Sequence, residues 1–160
     1  MVEFLLGAPT IDEMIRMCEN VLILNQIYPP LNTVVPLHWM CVDQSGRSIV
    51  IECINGKPVA YENPYGIMTN SPTFPEHMQL ITSREINDLS PINSTLKARL
   101  QGQQVGYSNG TGLVGLPGDY SSISRFIKLY VLQKFCQLPS TGKDGINTVF
   151  HILNNFDIPK

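Results

Sequence analysis

The chain has 160 residues, of which 43% are apolar and 15% are charged, and its formal net charge is −2. This length suits one domain, which would bury roughly 70% of the surface that the unfolded chain exposes. The charge balance provides no basic surface for nucleic acid or for an anionic membrane. Soluble domains carry about 25% charged residues, so the low charge predicts that part of the surface is covered by something else.

No apolar run approaches the ~20 residues that span a bilayer, and the first residues lack the basic segment and apolar length of a signal peptide. We therefore expect a cytoplasmic protein. The cysteines are scattered and lack the close spacing of a zinc site. They are predicted to be free, buried thiols, and no metal or cofactor is expected; the four are Cys18, Cys41, Cys53 and Cys136.

The first half of the chain predicts one helix and an antiparallel meander. Thr10 and Glu13 form a capping box at the start of a helix over residues 11–20. The run Ile49-Val50-Ile51 contains no polar residue, so its strand is predicted to be buried on both faces of the sheet. The predicted strands, joined by a turn at 43–46 and by the tight turn Asn55-Gly56, cover residues 37–42, 48–54 and 57–61.

The second half predicts helices that flank a long loop. Residues 67–69 are predicted as a fourth strand, and residues 90–118, rich in Gly, Ser, Asn and Gln, as a long ordered loop. A second capping box, Thr73 to Glu76, opens a helix over 74–82. Two more helices are predicted, one over 123–137 after the cap at 119–122 and one beginning at Asp144.

Residues 110–115 match the dinucleotide pattern G-x-G-x-x-G, but Pro117 interrupts the segment before any helix begins. No acidic residue lies about 20 positions further on, so the match is interpreted as accidental. The histidines are isolated from other chemically useful residues, and structural roles are predicted for His38, His77 and His151.

Two polar residues are candidates for a functional site, each with a structural alternative. Asn70 lies at the end of the predicted fourth strand, where a side-chain amide could donate to an oxyanion; the alternative is an Asx-turn that caps the next helix. Arg125 lies in the first turn of a helix, where a cation opposes the helix dipole. It either pairs with Asp119 or points into a site.

Five segments of the sequence resemble the choloylglycine hydrolase family, which comprises the bile salt hydrolases and the penicillin V acylases. They are Pro36-Leu37-His38-Trp39, residues 43–52 around Ser48-Ile49-Val50-Ile51-Glu52, Thr69-Asn70-Ser71-Pro72-Thr73-Phe74, residues 112–126 with Leu116-Pro117-Gly118-Asp119-Tyr120, and Phe150-His151-Ile152-Leu153-Asn154-Asn155. Their order and spacing agree over nearly the whole chain. The segment at 116–120 looks more like the bile salt hydrolases of Gram-positive type.

The resemblance implies an α+β fold of the N-terminal-nucleophile (Ntn) hydrolase type, a four-layer αββα sandwich. In such enzymes a processed N-terminal cysteine attacks a linear amide, its own α-amine is the base, and water hydrolyses the resulting thioester. Asn70 matches the asparagine that helps to form the oxyanion hole. Arg125 matches the arginine beside the nucleophile, where a cation favours the thiolate.

The sequence departs from this pattern at its ends. Val2 stands where the nucleophilic cysteine would follow the initiator methionine. Residues 1–7 align with a point inside such enzymes, and Lys160 stops short of their final strands, so a single, partial domain over residues 1–160 is expected.

Two hypotheses follow. In the first, the chain is the central and later part of a cysteine amidase that acts on conjugated bile salts or on penicillin V. The isolated chain would then be inactive, and an N-terminal fragment would complete it. The full enzyme would form a homo-oligomer. In the second, it is a non-catalytic remnant or binding module. Neither involves nucleic acid or a membrane.

Overall fold

The computed structural model describes residues 8, 10–83, 86, 89, 97–100, 103–106 and 111–158. These residues fall into two compact units, one built from 1–68 and 73–75 and the other from 69–72 and 76–160. Among the described residues, every helix is too short or too polar to span a membrane. The expectation of one partial domain stays a prediction, and the expected alignment of residues 1–7 lies outside the described residues.

The first unit begins with helix α1, Ile11–Cys18, which confirms the predicted first helix. Its capping box is formed, because the Thr10 side chain accepts from the Glu13 amide and the Glu13 carboxylate accepts from the Thr10 amide. The apolar positions recur at helical spacing, so one face of α1 is buried against the sheet. A 3₁₀ turn, Pro29–Leu31, follows in the connection to the sheet.

The predicted meander is confirmed. Strands β1 (His38–Val42), β2 (Ser48–Ile54) and β3 (Lys57–Glu62) form one antiparallel sheet in the order β1-β2-β3. The β2–β3 turn places Asn55 and Gly56 at φ values of 51° and 79°. Two successive positive φ angles define the tight hairpin turn that the Asn-Gly pair favours.

The central strand is buried on both faces, as the sequence predicts. The exposures of Ile49, Val50 and Ile51 are 0%, 0% and 4%. Ile49 and Ile51 belong to the core cluster that includes the buried face of α1. Val50 points to the other side of the sheet, because successive side chains of a strand alternate, and that side is covered as well.

The predicted fourth strand, residues 67–69, is wrong: this segment has no strand pairing. The buried side chain of Asn63 satisfies the backbone of Ile67 instead. Asn63 Nδ2 donates to the Ile67 carbonyl at 3.1 Å, and the Ile67 amide donates to Asn63 Oδ1 at 3.3 Å. A side-chain amide thus occupies both groups that a sheet ladder would need.

Helix α2, Phe74–Ile81, confirms the helix predicted after Thr73. The ordered loop predicted over 90–118 is wrong at 97–100, 103–106 and 111–113, whereas residues 114–118 are irregular, as predicted. Strands β4 (Lys97–Leu100) and β5 (Gln103–Gly106) form an antiparallel pair, and a 3₁₀ turn follows at Thr111–Leu113. The remainder of that predicted loop, residues 90–96, 101–102 and 107–110, lies outside the described residues.

The last two long helices are α3, Ser122–Phe135, and α4, Gly142–Leu153, and both confirm predictions. Side chains of α3 form the core of the second unit, where Phe126 and Val131 are 0% and 1% exposed. Helix α4 has no buried residue of its own. Its large apolar side chains face outward, and they are Ile146, Val149, Phe150 and Leu153.

Candidate active site

The start of helix α3 is built by a short carboxylate–hydroxyl network. Asp119 accepts from the Ser121 amide at 2.8 Å and from the Ser124 hydroxyl at 2.6 Å. Ser121 is the N-cap, and its side chain accepts from the Ser124 amide. Hydrogen bonds from the Ser121 and Ser124 side chains and from the Ser121 amide lower the pKa of Asp119 to about 2. The carboxylate therefore stays ionised and fixes the turn that precedes Arg125.

Arg125 contacts Asn70 across 55 positions of sequence. Its Nη2 donates to Asn70 Oδ1 at 2.7 Å, and its Nε donates to the Tyr120 carbonyl at 3.1 Å. In the described part of the chain, no ion pair joins Arg125 to Asp119. The first of the two sequence alternatives, a pairing with Asp119, is therefore not found there, and an arginine directed at a site stays a prediction.

This contact identifies which end of the Asn70 amide faces Arg125. A guanidinium group donates hydrogen bonds and accepts none, so the atom that faces Arg125 is the amide oxygen. The amide nitrogen Nδ2 then points elsewhere, and no acceptor for it is found among the described residues. Asn70 is exposed, so this donor is available to a bound molecule.

The capping alternative for Asn70 receives no support from the described hydrogen bonds. The amide of Phe74, the first residue of α2, donates to Glu52 Oε1 at 2.9 Å. A carboxylate from strand β2 therefore serves this end of α2. The oxygen of Asn70 is engaged by Arg125 instead.

A second contact lies beside the first, and the sequence did not reveal it. Thr69 Oγ1 donates to the Ser122 carbonyl at 3.1 Å and accepts from the Ser122 hydroxyl at 3.0 Å. His77 Nε2 lies 3.4 Å from the same Thr69 oxygen. The His77 ring is 2% exposed and stacks on Phe126 with centroids 4.5 Å apart. No local sequence signal pairs Thr69 with Ser122, because the two residues lie 53 positions apart.

The chain's cysteines do not fit a nucleophile's requirements. All four are free; Cys18 and Cys41 are buried, and the other two are partly exposed. Burial raises the pKa of the Cys41 thiol, and burial followed by the neighbouring Cys41 raises the pKa of Cys18. A raised pKa disfavours the thiolate that attacks a carbonyl. The Cys136 thiol donates to the Gln133 carbonyl at 3.1 Å.

The described residues contain no group of three His, Cys, Asp or Glu side chains that could hold a metal ion. The first unit carries an apolar cleft of about 390 Å³ beneath the connection that precedes β1. Its lining includes Ile23, Leu24, Tyr28, Val35, Leu37 and Trp39. Concave, mostly apolar surfaces of this size are typical of sites for small organic molecules.

Comparison with known proteins matches residues 1–160 to the family of linear amide C–N hydrolases, choloylglycine hydrolase family. A protein of Paramecium bursaria Chlorella virus 1 is 42% identical over 154 residues, which cover 96% of this chain and 52% of that protein. The bile salt hydrolase/transferase of Clostridium perfringens is 37% identical over 134 residues, 79% of this chain and 39% of that enzyme.

Two solved structures resemble this one. A variant of conjugated bile acid hydrolase from Clostridium perfringens has a TM-score of 0.73 and 33% identity, and the match covers 94% of this chain and 45% of that one. Penicillin V acylase from Agrobacterium tumefaciens has a TM-score of 0.62 and 25% identity, with 94% and 38% covered. These likenesses confirm the predicted α+β fold class of the Ntn type. The chain thus spans about half, or less, of the length of the proteins it matches.

Proposed function

Because the chain belongs to the choloylglycine hydrolase family of linear amide C–N hydrolases, we propose that it supplies the oxyanion-binding side of an amidase site. The hydrogen bond from Arg125 to Asn70 Oδ1 carries the proposal, because it leaves the Asn70 amide nitrogen directed away from Arg125 as an exposed donor. The expected substrate is a conjugated bile salt, whose amide joins a steroid acid to an amino acid.

Asn70 would act on the negative charge that develops during acyl transfer. When a nucleophile adds to the amide carbonyl, the carbonyl oxygen becomes an oxyanion, and a donor aimed at it stabilises the transition state. The Arg125 contact holds the amide oxygen of Asn70 before substrate arrives, which reduces the reorganisation needed during the reaction. One such donor is worth roughly 10²–10³ in turnover.

Arg125 would add a positive charge beside the reacting atoms. A guanidinium group is always protonated and forms directional hydrogen bonds through a planar fork. Here one arm of the fork engages the Tyr120 carbonyl and another engages Asn70. A fixed cation near a cysteine nucleophile favours its thiolate form.

The nucleophile itself would come from outside this chain. The mechanism implied by the family uses a cysteine whose own α-amine takes the thiol proton, and each of the four cysteines here lies within the chain, where its nitrogen is part of a peptide bond. Cys18 and Cys41 are buried, with raised pKa values. We therefore propose that the chain is inactive alone and is completed by an N-terminal fragment. The completed enzyme is expected to be cytoplasmic and homo-oligomeric.

We propose conjugated bile salts rather than penicillin V as substrates, because the bile salt enzymes are the nearer relatives. Their identity is 37%, against 25% for the penicillin V acylase structure. One further candidate is a non-catalytic binding module that keeps the fold without the chemistry, because burial raises the pKa of the Cys18 and Cys41 thiols.

A chimera tests the proposal. The matched part of the Clostridium perfringens enzyme is replaced by this chain, and the remainder of that enzyme is kept. We expect the chimera to release glycine from glycocholate faster than it cleaves penicillin V, and the isolated chain to release none. A chimera with the circular dichroism and cooperative melting of a folded protein, but without hydrolysis of either substrate, would favour the binding module.

A further inference from the structure

Two neighbouring residues, Thr69 and Asn70, are each bonded to helix α3 at points one turn apart. Thr69 bonds to Ser122, and Asn70 bonds to Arg125. Residues three apart lie on the same side of a helix, so the Thr69-Asn70 segment is held along one side of the first turns of α3. A segment fixed at two successive residues cannot rotate about either contact alone.

The Thr69 hydroxyl has used its full hydrogen-bonding capacity. It has one hydrogen, and that hydrogen goes to the Ser122 carbonyl, which can only accept. The Ser122 hydroxyl brings its own hydrogen to the Thr69 oxygen. His77 Nε2 lies 3.4 Å from the same oxygen and makes a third polar contact. A hydroxyl held by three polar contacts has a single favourable orientation.

Shielding adds to this constraint. His77 is 2% exposed, and Phe126, on which it stacks, is 0% exposed. Hydrogen bonds that are partly shielded from water, as these are, cost more to break than exposed ones. The contact at Thr69 is therefore firmer than the exposed contact at Asn70 that follows it.

Resting on the proposed function of Asn70, we propose that Thr69 is a positioning residue that sets the direction of the Asn70 amide donor through Ser122 and His77. Arg125 alone fixes only the oxygen of that amide, about which the side chain can still pivot. The backbone anchor at Thr69 removes that freedom. A displacement of about 1 Å at a reacting centre costs roughly 10²-fold in rate, so such an anchor has a catalytic consequence.

Nuclear magnetic resonance of the complete, ¹⁵N-labelled chain tests this directly. The side-chain amide pair of Asn70 is identified by its loss in Asn70→Ala, and its order parameter is measured. In Thr69→Val, which has the same shape without the hydroxyl, we expect the order parameter to fall from above about 0.6 to the values below about 0.6 that mark flexible groups. Thr69→Ser restores the hydroxyl and should restore the order.

Thr82→Val is the matched control. The Thr82 hydroxyl donates to the Gln79 carbonyl at 2.7 Å, at the exposed end of α2. Its loss should leave the Asn70 amide unchanged. If Thr69→Val fails to fold, Ser122→Ala removes a single bond and keeps the carbonyl, and a smaller loss of order is expected. An Asn70 amide that stays as ordered as in the unaltered chain, in every folded variant among these, overturns the proposal.

Kinetics of the chimera separate positioning from folding. Thr69→Val is expected to lower kcat per folded site by roughly 10-fold or more, with KM within about twofold. Unchanged kcat would also overturn the proposal. The NMR spectra do not depend on hydrolysis. If the chimera is inactive but Thr69→Val still lowers the order parameter of the Asn70 amide, the proposed function is contradicted and the positioning role is not.

Discussion

Substitution of Val50 by alanine tests the most consequential packing feature of the first unit, the burial of strand β2 on both faces. Val50 and Ile49 are both 0% exposed, and they point to opposite sides of the sheet. If one face of the sheet were in water, substitution by alanine would strongly lower the free energy of unfolding at only one of the two positions. In this structure we expect a large loss at both.

The magnitudes follow from the atoms removed. Val50→Ala deletes two buried carbons, worth about 0.8 kcal/mol each, and the cavity left behind adds to this. We expect a loss of about 2–3 kcal/mol in the free energy of unfolding. Ile49→Ala deletes one more carbon, and about 2–5 kcal/mol is expected. Val42→Ala is the control, because Val42 is 57% exposed at the end of β1, and a change within about 0.5 kcal/mol is expected.

Urea unfolding followed by the fluorescence of Trp39 measures these values. Trp39 is the single tryptophan of the chain and packs against the core that contains Ile49. Equal slopes against urea among the variants would show that the midpoints can be compared as stabilities. A cost below about 0.5 kcal/mol for Val50→Ala, with Ile49→Ala still costly, would refute the reasoning that the second face is covered.

Two further predictions concern titratable groups. The pKa of Asp119 is lowered to about 2, so its contribution to stability is complete above its ordinary pKa near 3.9 and is lost as the pH falls through about 2. Urea unfolding followed by circular dichroism between pH 5 and 2 should therefore show a smaller decline in the free energy of unfolding for Asp119→Asn than for the unaltered chain. An identical decline in the two proteins would contradict this. In the folded chain, a thiol reagent should modify the partly exposed Cys53 and Cys136 and spare the buried Cys18 and Cys41 until denaturant is added; rapid modification of all four thiols would show that the core around α1 is open.

Much of the first unit could be predicted because local signals and burial agree there. The Asn55-Gly56 pair specifies a tight turn, and the apolar run in β2 requires cover on both faces. The capping box at Thr10 and Glu13 marks a helix start for the same local reason. Each of these signals lies within a few residues of the structure that it specifies.

The errors arose where the decisive partner was not an apolar side chain. Residues 67–69 look like a strand by composition, but Asn63 takes the backbone groups of Ile67. The β4–β5 pair was missed because its two strands, 97–100 and 103–106, are only four residues long each and lie in a segment rich in Gly, Ser, Asn and Gln. Backbone pairing between polar strands leaves little trace in a hydrophobic pattern.

Individual residues of the candidate site could be singled out from the sequence, but their spatial arrangement could not. Asn70 and Arg125 drew attention individually, as an amide near a turn and a cation at the wrong end of a helix dipole. Their contact spans 55 positions, and no local rule pairs them. Thr69 was missed because a threonine beside an asparagine has no distinctive chemistry until Ser122 and His77 are brought to it.

The measurement that tests the central claim most directly is the turnover of glycocholate by the chimera carrying Asn70→Ala. If the Asn70 amide stabilises the oxyanion, kcat should fall by roughly 10²–10³, while the circular dichroism and melting of the chimera stay those of the unaltered chimera. A change below about threefold in kcat would contradict the claim and would leave Asn70 a structural partner of Arg125.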